Sequence, residues 1–111
     1  MNRMTIVTSP DVTGKKIVRT LGMVRGNSVR ARHIGRDIMA GMRMLVGGDV
    51  HEYAKLLSES REQAVDRMCA DAESLGGNAI VTVRFSTSTL AQGAAEMLAY
   101  GTAVLIEDAD S

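Results

Sequence analysis

The chain has no tryptophan, two tyrosines and one phenylalanine, so aromatic packing cannot dominate its interior. Val, Ile, Leu, Ala and eight methionines must fill the core instead. Methionine adapts to irregular gaps but specifies shape poorly. A single cysteine, Cys69, excludes an intrachain disulfide and fits a reducing compartment. No apolar run approaches the ~20 residues of a membrane span, and the N-terminus lacks a basic-then-apolar leader, so a soluble, cytoplasmic protein without a membrane partner is expected. There is no Gly-x-Ser-x-Gly, no Gly-x-x-x-x-Gly-Lys-Ser/Thr and no Cys-x-x-Cys, which removes the usual signatures of serine hydrolases, phosphate loops and thiolate metal sites.

What is present is enough chain for one domain, 1–111, with one core. Its net charge of zero hides a division along the sequence. Residues 1–43 hold nine basic side chains against Asp11 and Asp37, while the remainder holds four basic and eleven acidic ones. Opposite halves of this kind suit complementary surfaces within or between subunits, or a basic half facing an anionic partner.

A short strand is expected at Met4–Val7, followed by turn chemistry at Ser9-Pro10-Asp11 and Gly14. Lys16–Arg25 is apolar on both faces and reads as a strand; Gly26-Asn27 then stands where a hairpin turn would lie, with Ser28–His33 returning. Ile34–Val46 has helical spacing, and Gly47-Gly48 ends it. Asp49 with Glu52 resembles a capping box. From Val50 to Leu75 there is neither Pro nor Gly, and Tyr53, Leu57, Ser60, Ala64, Met68, Ala72 and Leu75 recur every three or four residues. The spacing predicts a helix roughly 40 Å long, with Lys55–Glu59 and Arg67–Asp71 as pairs on its outer face and Gly76-Gly77 as its stop.

Two more strands are expected, Asn78–Phe85 and Ala95–Ile106, joined by a loop over 86–94 and followed by a frayed acidic tail, 107–111. On the third strand Ala79, Val81, Val83 and Phe85 should point one way and Ile80 and Thr82 the other. On the fourth, Met97, Ala99, Ala103 and Leu105 oppose Leu98, Tyr100, Val104 and Ile106. The fold class is therefore α+β, a mainly antiparallel sheet covered on one face by a long helix. One helix cannot hide both faces of such a sheet, and another copy of the chain is the simplest cover.

Several runs carry a family resemblance: Arg36-Asp37, Gly41-x-Arg43, Val46-Gly47-Gly48, Tyr53, Arg61, Ala64, Leu75-Gly76, Asn78-Ala79, Val83-Arg84-Phe85 and Tyr100-Gly101-Thr102-Ala103-Val104. Together they resemble the YbjQ-like family of small bacterial and archaeal proteins over nearly the whole chain. The resemblance implies a β-α-β-β subunit of the dodecin-like kind, a homopentameric ring, and a heavy-metal-binding label without established activity. Ser86 stands where many members carry Asp, so no role resting on that carboxylate transfers.

The residues give that label little support. A soft-metal site needs two to four converging thiolate, thioether or imidazole ligands, and Cys69, His33 and His51 are isolated in sequence. Cys69 suits helix packing, His51 a solvated or capping place, and His33 stands among arginines that would disfavour a cation. A metal could still be held where copies of one ligand converge on a symmetry axis. Met23, Met39, Met42, Met44 and Met97 read as core filling rather than copper ligands. Neither histidine has a recognisable nucleophile and acid beside it, so no catalytic residue and no organic cofactor is assigned and the protein reads as a non-enzyme. The arginines Arg25, Arg30, Arg32, Arg36 and Arg43 are the best remaining candidates, either pairing with the acidic half of a neighbouring subunit or binding a small anion. Without interleaved aromatics in that segment, nucleic acid is the weaker reading.

Overall fold

The computed structural model describes residues 4–29, 50–91 and 94–110. Strand β1 is Thr5–Ile6, β2 is Lys15–Val29, helix α1 is Val50–Ser74, β3 is Ala79–Ala91 and β4 is Ala94–Asp108. The strands form one sheet in the order β1-β3-β4-β2, mixed because β1 runs parallel to β3 while the other pairs are antiparallel. The expected α+β class and the expected long helix packed on the sheet are both present. The expected helix at 34–46 lies outside the described residues.

Helix α1 forms where Gly and Pro are absent and stops where expected. Gly76 takes φ +86, a conformation open to glycine. Gly77 N–H donates to Ala72 O and Gly76 N–H to Glu73 O, which satisfies carbonyls that a helix end leaves open. Ser60, Ala64, Met68 and Ala72 of the expected stripe are buried. Ala64, Met68 and Ala72 pack with Val24, Ile80, Val83, Met97, Ala99 and Ala103, the main core.

Strand β2 differs from expectation. It makes no turn at Gly26-Asn27 but runs straight through to Val29, paired with β4 as far as Glu96. The reason is helix contact: a Cβ on Gly26 would lie 2.2 Å from the Ala64 carbonyl oxygen and 2.3 Å from Met68 N. The glycine serves a close backbone crossing instead of a reversal. Residues 30–33 of the expected return strand lie outside the described residues. Arg67 and Asp71, expected on the outer face of the helix, turn to the edge of β2. Arg25 N–H donates to Asp71 Oδ2 at 3.2 Å, and Arg67 Nη1 donates to Asn27 O at 2.6 Å. Two backbone groups on an edge strand are satisfied in this way.

The segment expected as a loop, 86–94, is mostly ladder. Its Ser and Thr residues tolerate the pleat, so β3 continues to Ala91 and β4 starts at Ala94. Strand β3 also carries a bulge. Val81 pairs with Thr102 and Arg84 with Tyr100, so three steps on β3 match two on β4, and Thr82 takes φ 56. The extra residue reverses the side-chain alternation. Val83 therefore joins Ile80 beneath the helix, whereas simple alternation placed it with Val81. On β4 the alternation is as expected, with Met97, Ala99 and Ala103 in the main core and Val104 and Ile106 on the opposite face.

That opposite face holds a second, smaller core of Ala79, Val81, Val104 and Ile106, over which Val7 and Val12 of the N-terminal segment pack. The acidic tail is partly engaged rather than frayed: β4 reaches Asp108, Ala109 N–H donates to Gly14 O, and Lys15 and Lys16 pair with Asp108 and Asp110. The charge division of the sequence is thus met in part within one chain. Both ion pairs are solvent-exposed and contribute little to stability.

Candidate functional site

Among the described residues, nothing beyond the N-terminal segment covers the face of the sheet away from α1. Register determines its rows. Arg25 of β2, Tyr100 of β4 and Arg84 of β3 are direct neighbours across three strands. Val24 and Val83 lie in the core beneath the helix, so Arg25 and Arg84 point to the open side, as does Tyr100 between the core residues Ala99 and Ala103. On one flank Met23 pairs with Thr102, and on the other Asn27, Leu98 and Ser86 form the next row. Met23 is 69% exposed, while Tyr100, Leu98 and Thr102 are half-buried. The result is a shelf with an aromatic ring at its centre and a guanidinium on each side.

Arg84 also marks the shelf's edge. Its Nη1 donates to Thr8 O at 3.0 Å and to its neighbour Val83 O at 2.9 Å, tying the N-terminal segment to β3. Among the described residues, the Nε and Nη2 donors have no acceptor and remain for another. Among the described residues neither Arg25 nor Arg84 stands in an ion pair. The nearest carboxylate along β4 on this face is Glu96, two rows away, and it accepts from Asn27 Nδ2 at 2.8 Å. Among the described residues the shelf thus presents two guanidinium groups, with the Asp71 carboxylate at the β2 edge by Arg25 N, and its donors suit a phosphate or carboxylate.

The sequence-level candidates divide differently. Cys69 is a half-buried thiol on α1 against the main core. Burial, and then the carboxylates of Asp66 and Glu73, push its pKa up, which disfavours the thiolate that a metal would need. His51 belongs to the first turn of α1, and nothing further is described of its side chain. His33, Arg30, Arg32, Arg36 and Arg43 lie outside the described residues. Among the described residues, no group of three or more His, Cys, Asp or Glu side chains gathers as a metal site would require. Sequence reasoning included Arg25 in its cluster but missed Arg84 and Tyr100, because only strand register brings the three together.

No helix among the described residues is long and apolar enough to cross a membrane. A family model described as "Putative heavy-metal-binding" matches residues 4–107. A UPF0145 protein of Dehalococcoides mccartyi is 52% identical over 104 residues, spanning 94% of this chain and 100% of its own length. Another, from Methanosarcina acetivorans, is 54% identical over 103 residues, spanning 93% and 97%. Among solved structures, a protein with unknown function of the DUF74 family from Pediococcus pentosaceus superposes with a TM-score of 0.63. It shares 20% identity and covers 94% of this chain and 98% of its own, a likeness of fold alone.

Proposed function

This chain belongs to the YbjQ-like, UPF0145 family, and from that premise we propose that it is a non-enzymatic, cytoplasmic homo-oligomer, a pentameric ring of dodecin-like subunits that holds a small ligand. The observation that carries the reading is the outer edge of β3. Strand β1 and the segment that follows it cover that edge only as far as the bond from Val83 N–H to Val7 O. From Arg84 to Ala91 no strand pairs with it among the described residues. This stretch has no Lys and no Pro, and beyond the bulge and Arg84 at its start nothing in its composition blunts the edge. Phe85 beside it is 45% exposed and Ile6 is 37% exposed, both on the helix side of the sheet where α1 does not reach. A second copy adding to this edge supplies the missing hydrogen bonds and hides Phe85.

The test is sedimentation at micromolar concentration of the wild type and of Phe85→Lys. A wild-type multiple that Phe85→Lys dissociates supports the reading, and a wild-type monomer overturns it. The heavy metal of the family description finds no donor set among the described residues, so no metal chemistry is derived. A second reading, binding of a small anion by arginines of the basic half, is favoured by Arg25, whose side chain meets the open shelf. Phosphate titration at low and high salt tests it.

A further inference from the structure

We infer that the shelf around Tyr100 binds a phosphorylated molecule that carries a flat ring, the chemistry of a nucleoside monophosphate, with Tyr100 as stacking platform and Arg25 and Arg84 as the phosphate's partners. The inference deepens the anion reading, on which it rests; it uses the face of the sheet away from α1, which meets the β3 edge assigned to assembly at Arg84.

Three features of the shelf carry it. Arg25 and Arg84 stand two strand spacings apart, roughly 10 Å, with the tyrosine between them. Arg25 makes no side-chain bond among the described residues and can reach an anion above the ring; Arg84 joins it through Nε and Nη2, or by releasing the Nη1 bond to Thr8 O, and neither is neutralised by an ion pair among the described residues. The ring is half-buried, so it is held in place yet keeps one accessible side, and Met23 and Leu98 extend the apolar surface on both flanks. An inorganic anion alone would leave that apolar surface wet, whereas a ring joined to the phosphate would cover it. Base-on-aromatic stacking contributes about 1–3 kcal/mol by alanine substitution and tolerates any base.

The rows beyond the shelf limit the ligand's size. Thr8 O, bound by Arg84, marks one boundary, and the Asn27–Glu96 contact marks the other with a carboxylate that would repel a second phosphate. One ring and one phosphate fit between them, and a polyanionic strand does not. The site is shallow, and affinity is expected at about 0.1–1 mM.

Titration of the full-length protein with AMP, adenosine and inorganic phosphate, followed by the NMR signals of the Tyr100 ring and neighbouring amides, tests the inference. AMP should bind at least ~5-fold tighter than either fragment, a difference of about 1 kcal/mol. Arg25→Gln, an exposed change that leaves the fold intact, should weaken AMP at least ~3-fold. Tyr100→Leu should reduce AMP to the level of phosphate. If phosphate binds as well as AMP, the ring-stacking inference is overturned while the anion reading stands. If neither phosphate nor AMP binds, both fall.

Discussion

Gly26 and Ala64 meet backbone to backbone: a methyl group on the glycine would sit 2.2 Å from the alanine's carbonyl oxygen. Neither side can yield, because one atom belongs to a strand and the other to a helix. Gly26→Ala should therefore push α1 off β2 and cost roughly 3 kcal/mol or more, as overpacking against backbone does. Urea denaturation checks this, and a loss below about 1 kcal/mol would mean that the helix can ride outward freely.

The same residue shows where the sequence was legible and where it was not. The long helix, its glycine stop and the face alternation of β4 follow from local period and capping chemistry, and all are present. Gly26-Asn27 carries equally good turn chemistry, but its glycine answers to Ala64, 38 positions away in the chain. The bulge at Thr82 was hidden for a similar reason, since it shows only as a shift of register against Thr102 and Tyr100 of the neighbouring strand. The Arg25–Tyr100–Arg84 row depends on register across three strands, which periodicity within one strand cannot reveal. Ser86–Ala91 looked like a loop by composition, yet pairing overrode composition.

Asn78 stands in for a backbone pair where β3 begins. Its Nδ2 donates to Ile106 O at 3.0 Å and its Oδ1 accepts from Ile106 N–H at 2.8 Å. Asn78→Ala should cost about 1–3 kcal/mol by leaving both groups of Ile106 without partners. Asn78→Asp should rescue little, because it keeps one acceptor but sets a carboxylate oxygen against Ile106 O. Thermal melts of the two variants distinguish this account from simple loss of volume, under which Asp would be nearly neutral.

Thr82 and Gly101 form the two halves of the bulge. A Cβ on Gly101 would lie 2.8 Å from Ile80 Cγ2 and 2.9 Å from Val81 O. Gly101→Ala should destabilise by about 1–3 kcal/mol. Thr82→Gly should stabilise by up to ~1 kcal/mol, since the left-handed conformation at φ 56 penalises a β-branched residue. Opposite signs for these two exchanges in equilibrium unfolding are the expected result.

Cys69 should react slowly. With its thiol pushed up by burial and by Asp66 and Glu73, alkylation by iodoacetamide at pH 7.5 should lag behind a free thiol at least ~5-fold. The shift also sets the sign of a pH effect. A group whose pKa is raised on folding contributes stability below its unfolded value, about 8.5 for a thiol, and loses that contribution as pH rises through the raised value. Wild type should lose stability above about pH 8.5 relative to Cys69→Ser, which a urea series across that range would detect.

From Arg84 to Ala91 the outer edge of β3 has no strand partner among the described residues, and Phe85 beside it is half-exposed. Native mass spectrometry of the untagged protein at micromolar concentration tests the proposed assembly most directly. The account predicts a discrete multiple of the chain mass, five subunits for the ring the family resemblance implies, collapsing to single subunits in Phe85→Lys. A stable single chain in the wild type would contradict it.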